Sequence, residues 1–182
     1  MLINKENPLP QDFVPEQLIP VKIPFVQPVE FSKTCMVWQA AKAVERMVRE
    51  AKMDGIYIKG VSAYRSYKTQ ENIFIRSALK NGLDHALKYV ALPGKSEHQS
   101  GMAIDIGCIE NDYELDETFA QTKCYRWILQ NSYIYGLIIR YPKGKEKITG
   151  YEFEPWHLRY VGAKLSAEIH NSEKCLEEIW EK

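Results

Sequence analysis

Six of the nine prolines in this 182-residue chain stand at positions 8, 10, 15, 20, 24 and 28. Each proline removes a backbone N–H and fixes φ near −65°, and each disfavours the helical region for the residue before it. No helix can run through residues 1–30. The expectation is an extended arm over 1–30, wrapped on the surface of one domain spanning 31–182. A chain of this length can bury a real core without disulfide or metal staples.

From Ser32 the pattern changes. Val37, Ala40, Ala41, Val44, Met47, Val48 and Ala51 recur at helical spacing, with Ser32 or Thr34 as the expected N-cap and Gly55 after the helix. Ile56 to Val61 reads as a strand. Helices are expected over Lys68–Lys80 and Leu83–Ala91, the second stopped by Pro93-Gly94. Met102 to Ile106 alternates as a strand, Glu117–Asn131 reads as a helix and Leu137–Tyr141 as a strand. Pro142–Gly150 is expected to be a polar loop, Trp156–Val161 a strand, and Ala163–Lys182 helical with a break near Asn171. Strands mixed with helices in this order predict an α+β domain.

Composition excludes several function classes. Lys+Arg and Asp+Glu number 24 each, so no basic excess suggests nucleic acid. No apolar run approaches the roughly 18 residues that cross a bilayer. The start, MLINKENP, has no basic segment followed by an apolar one, so it does not read as a signal peptide. A cytoplasmic location is expected, with export or anchoring through a segment outside this sequence as the alternative. Cys35, Cys108, Cys124 and Cys175 are widely spaced without a C-x-x-C pair, and are expected as buried reduced thiols.

Three clusters carry chemistry. In the first, SEHQSGMAID (96–105), His98 falls in a loop and Asp105 on the strand that follows. Met102, Ile104 and Ile106 share one strand face; Ala103, Asp105 and Gly107 share the other. Small neighbours leave room for a metal beside Asp105, and a carboxylate flanked by isoleucines needs a partner, either a cation or a Lys or Arg. In the second cluster, EFEPWH (152–157), Pro155 pushes Glu154 out of the α region. Glu154 is therefore expected on a turn or strand end, with His157 at the start of the next strand. Singly, each of these residues has a plain structural explanation. Together, two His and one carboxylate make three zinc ligands with the fourth position open, as in catalytic sites. Glu154 beside them can take a proton from a water held there. His85 and His170 lack comparable partners. In the third cluster, SAYRSYKTQ (62–70), Arg65 follows a strand and can bind a carboxylate or an oxyanion, or simply form a surface salt bridge.

These segments resemble the VanY-type D-alanyl-D-alanine carboxypeptidases and the related VanX and VanXY dipeptidases. The matching stretches are YRSYKTQ (64–70), ALPGKSEHQSGMAIDIG (91–107), YGLIIRYP (135–142) and ITGYEFEPWHLRYVG (148–162), and the opening INKENPLP is similar to that family's N-terminal arm. The resemblance implies Zn2+ on His98, Asp105 and His157, Glu154 as catalytic base and then acid, and Arg65 as oxyanion stabiliser. It also implies Ser96 on the substrate carboxylate, Gln70 on the substrate backbone and Trp156 shaping the zinc site. The fold it implies is the small α+β one of the Hedgehog zinc domain, a mixed or antiparallel sheet flanked by helices. The expected partners are peptidoglycan precursor peptides or D-Ala-D-Ala. The expected activity is D,D-carboxypeptidase, with or without dipeptidase activity. The alternatives are an L,D-carboxypeptidase trimming tetrapeptides, a module that binds cell-wall peptides without catalysis, and a structural zinc domain.

Overall fold

A computed structural model describes residues 1–180. The arm, residues 1–30, carries one strand and several turns. Within it, β1 (Leu18–Pro20) pairs antiparallel with β2 (Cys35–Val37). Ile3, Leu9, Val21 and Phe25 are buried, and the arm's backbone donates or accepts at Thr34, Gly60 and Gly94. Prolines thus set extended geometry while apolar residues between them anchor the arm to the domain. All four cysteines are buried and free.

The long helix α1 (Trp38–Met53) begins later than expected. Ser32 and Thr34 lie in a 3-10 turn, the Thr34 hydroxyl donates to the Phe31 carbonyl, and pairing with the arm claims Cys35–Val37 as strand. Val37 therefore precedes the helix without any side-chain cap. Its far end is a Schellman closure at Gly55 (φ +77°): Gly55 N–H donates to Lys52 O at 3.1 Å and Ile56 N–H to Ala51 O at 2.8 Å. Ile56 is thereby spent on the helix, and β3 runs over Lys59–Ser62, three residues later than the apolar run suggests.

There follow α2 (Tyr67–Asn81), α3 (Leu83–Tyr89), β4 (Ala103–Gly107), α4 (Lys123–Asn131), β5 (Leu137–Tyr141), α5 (Glu146–Thr149), β6 (Glu154–Tyr160), α6 (Ala163–Ser172) and α7 (Leu176–Trp180). Two expectations are corrected. The helix over Glu117–Asn131 is a 3-10 segment and then α4, divided at Thr122, whose hydroxyl caps α4 by accepting from Tyr125 N–H. The loop over Pro142–Gly150 contains α5. The C-terminal helix breaks at Glu173, held in the left-handed region and close to the break expected near Asn171; residues 181 and 182 of that expected helix lie outside the described residues.

The sheet order is β3-β4-β6-β5, every neighbour antiparallel, as the α+β reading expects. One face bears Ile104, Ile106, Leu137 and Leu158, packed against Ala40, Ala41, Val44 and Met47 of α1 and against Phe119 and Ile128. The small alanines of α1 let the helix approach the sheet closely. On the opposite face the register sets Asp105 beside His157 and Ala103 beside Arg159. The ladder slips twice, between Gly60 and Ser62 on β3 and between Ile139 and Tyr141 on β5. Both irregularities border this polar pair, and bulges at such places re-aim side chains. The second also accommodates Pro155, which has no ladder donor.

Gly60 shows how the arm is seated. A Cβ there would collide with the Phe25 ring. Gly60→Ala is expected to lower unfolding free energy by about 1–3 kcal/mol through overpacking. Urea denaturation would read this, and truncating Phe25 to Ala in the same protein should cancel most of the added penalty.

Candidate active site

The polar face of the sheet is completed from loops. A 3-10 turn over Glu97–Ser100, ending at Gly101 in the left-handed region, carries His98 into the site rather than leaving it in an irregular loop. Gln99 braces that turn by donating to the arm carbonyls of Pro10 and Phe13, at 2.9 and 3.2 Å. Arg65 leaves the end of β3, and its N–H donates to His98 O at 3.2 Å. The next residue, Ser66, caps α2 by accepting from Thr69 N–H. His157 sits in the middle of β6, directly opposite Asp105, and not at the strand's start as expected. Glu154 is the first residue of β6, as Pro155 predicts.

His98, Asp105 and His157 are all buried, and their ligand atoms lie within 4.8 Å of one another. His98 Nδ1 is 2.6 Å from Ala63 O, which can only accept, so Nδ1 carries the proton and Nε2 is free. That Nε2 faces Asp105 Oδ2 at 3.1 Å, while His157 Nδ1 faces Asp105 Oδ1 at 2.9 Å. Two imidazole nitrogens converging on one buried carboxylate require positive charge between them, from protons or a metal. Burial opposes charge on His157, yet the Asp105 and Glu97 carboxylates outweigh it and lift the imidazole to about 9. A zinc ion would displace that proton, since ligation needs neutral imidazole. The donor set, two nitrogens and a carboxylate with a side open to the cavity, fits zinc in its catalytic form.

The remaining groups surround this triad. Burial raises Glu154 to about 7, and its Oε2 lies 3.8 Å from His157 Nδ1. Arg65 Nη2 reaches Asp105 Oδ2 at 3.5 Å, and Arg65 Nη1 donates to Gln70 Oε1 at 2.8 Å. Gln70 Nε2 donates to Ala91 O at 2.6 Å, so both ends of that amide are engaged and Arg65 is oriented by it. Ser96 and Trp156 line the same cavity of about 190 Å3, together with Tyr141, Tyr151 and Tyr89. All eight residues singled out from the sequence therefore meet in one place.

Comparison with known proteins agrees. Residues 33–163 match the family model described as VanY: D-alanyl-D-alanine carboxypeptidase. The chain belongs to the VanY-type D-alanyl-D-alanine carboxypeptidase family. It is 43% identical over 181 residues to the Bacillus subtilis (strain 168) protein YodJ, covering 100% of this chain and 66% of that protein. It is 37% identical to the bifunctional D-Ala-D-Ala dipeptidase and carboxypeptidase VanXYC of Enterococcus gallinarum, covering 97% and 90%. Among solved structures, the LdcB LD-carboxypeptidase matches with TM-score 0.94 and 43% identity, over 100% of this chain and 85% of that one. A D,D-pentapeptidase VanY in complex with Zn(II) matches with TM-score 0.76 and 30% identity, over 98% and 96%. That relative carries zinc, and in this chain the His98, Asp105 and His157 donors converge as a group that could hold a metal ion.

Sequence reasoning missed a buried charge cluster beneath the site. Arg140 on β5 and Arg159 on β6 both donate to Glu97 Oε1 at 2.7 Å. Arg140 also forms a two-pronged pair with Glu177 of α7, at 2.8 and 2.6 Å, and Arg159 Nη2 donates to Met1 O at 2.8 Å. Burial pushes Glu97 towards protonation, but the two guanidinium groups outweigh it and hold the carboxyl well below its usual range. The available signal was an arginine in the middle of each of two apolar strands, LIIRY and HLRY, which needs a buried partner.

Proposed function

We propose that this protein is a zinc-dependent carboxypeptidase releasing the C-terminal D-alanine of peptidoglycan stem peptides. The observation that carries this reading is the convergence of a complete zinc ligand set, a carboxyl poised near neutrality and a guanidinium on one small cavity. Zinc bound there would supply Lewis-acid polarisation of the scissile carbonyl and activation of the attacking water.

The chain's own residues do the rest. Glu154, raised by burial, accepts the proton of the attacking water and returns it to the departing amine. Arg65, held by Gln70 and pointed at the metal ligands, stabilises the developing oxyanion. Ser96, buried in the cavity wall, is placed to receive the substrate's terminal carboxylate, and Trp156 bounds the same space. Gln70 acts on the substrate backbone only by releasing one of its present bonds.

The D,D bond of the pentapeptide is the first reading, supported by the family and by the bifunctional relative. Cleavage of an L,D bond in the tetrapeptide is favoured by one specific observation, the 43% identity and 0.94 TM-score to an LD-carboxypeptidase. Release of D-alanine from dipeptide, tetrapeptide and pentapeptide, with and without a chelator, separates these. Chelator-sensitive release restored by zinc is expected from at least one stem peptide, and the preferred length names the bond. Peptides that bind but remain intact would establish a binding module instead.

A further inference from the structure

Glu97 has no role in the chemistry above, yet the residue is 1% exposed and its carboxylate lies against His157. Its Oε1 is saturated by Arg140 and Arg159. Its Oε2 has no hydrogen-bond partner, and neither has His157 Nε2. These two orphaned atoms face each other at 3.5 Å. A buried polar atom without a partner is costly, and here each supplies what the other lacks: an acceptor and an N–H. The other ring nitrogen, Nδ1, points at Asp105.

The geometry points to Glu97 as the positioning residue that fixes the His157 tautomer for zinc, its Oε2 accepting from Nε2–H so that the Nδ1 lone pair is presented to the metal. This inference rests on reading the His98, Asp105 and His157 set as a zinc peptidase centre. The two zinc histidines are then treated alike: Ala63 O accepts from His98 Nδ1–H and frees Nε2, and Glu97 accepts from His157 Nε2–H and frees Nδ1. A carboxylate on the outer N–H also makes the imidazole a better donor, an effect of outer partners that carries roughly 10–100-fold in metal affinity. Arg140 and Arg159 serve the arrangement by occupying Oε1, which leaves only Oε2 to turn toward the histidine. Through Glu177 and Met1, the same arginines tie α7 and the first residue of the arm to the orientation of a metal ligand.

Glu97→Gln tests this sharply. The amide oxygen would be claimed by the two arginines, so the NH2 group would face His157 Nε2 and donate to it. That demands the opposite tautomer, with Nδ1 protonated and unable to ligate. Zinc affinity by chelator competition is expected to fall about 10–100-fold. Because Glu97→Gln leaves an excess buried positive charge, the charge-balanced double variant Glu97→Gln/Arg159→Met is measured beside it and should show the same fall. Arg140→Lys, which loosens the cluster but keeps the carboxylate, should bind zinc nearly as the unaltered protein does. In the zinc-loaded protein, the His157 Nε2–H proton should be visible by nitrogen-edited NMR, and lost with Glu97→Gln. Affinity that follows folding stability across the three variants, or stays unchanged without the carboxylate, would overturn the inference. Failure of the unaltered protein to bind zinc would overturn the peptidase reading itself.

Discussion

Glu154→Gln is expected to lower turnover about a hundred- to ten-thousand-fold while one zinc per chain is retained. Glutamine keeps the shape of the side chain but cannot take the proton of the attacking water. It is not among the three residues whose ligand atoms converge. The contrast is His98→Ala, which removes a ligand atom and should lose zinc and activity together. D-alanine release and metal content, measured on the same preparations, separate the two outcomes. Near-normal turnover of Glu154→Gln would move the base elsewhere in the cavity. The group's position also explains why a carboxyl suits the task. Pro155 holds Glu154 at the head of β6 and burial raises it to about 7, where it can both accept and return a proton. A cation in the adjoining site would draw that value down.

Arg140→Met is expected to lower unfolding free energy by about 3–5 kcal/mol, the effect of stripping a buried charge of its partner. Arg140 is fully buried and joins Glu97 to Glu177. Without it, among the described residues, Glu177 keeps a 3.5 Å contact from Asn4, and Glu97 keeps Arg159 and the facing His157. Exposed ion pairs such as Arg49 with Glu50 carry little, because water screens them. The double variant Arg140→Met/Glu177→Leu removes one charge of each sign and should recover most of the loss. Urea denaturation of the zinc-free proteins would measure both. A single-variant loss below about 1 kcal/mol would mean that water, and not Glu177, already solvates Arg140.

Much of the architecture was legible because it follows from local rules. The strand over Leu137–Tyr141 and the helix α2 fall where periodicity places them, since neither competes with another use of its backbone. Three of the misplacements are of one kind. Ser32 and Thr34 are good caps in isolation, but pairing of Cys35–Val37 with the arm pre-empts them. Ile56 looks like strand, but its N–H closes α1. Thr122 divides an otherwise continuous helical pattern by capping the second half. In each case a hydrogen bond to a distant or neighbouring segment outweighed a propensity difference of a few tenths of a kcal/mol.

The candidate site was legible for another reason. His98, Asp105, Glu154 and His157 sit in short segments whose strand alternation and proline constraint already aim them, and the resemblance to a known family linked the two halves. The prolines likewise determined that no helix runs through residues 1–30, and the two-residue period determined that Asp105 faces away from Ile104 and Ile106. The partners of that face were decided only by the tertiary structure. Antiparallel register set His157 opposite Asp105, and two irregularities in the ladder lie beside that pair. The charge cluster of Glu97, Arg140, Arg159 and Glu177 gathers residues from four elements far apart in sequence. No local pattern encodes such an assembly, because its energy arises only when burial removes water from all four groups at once.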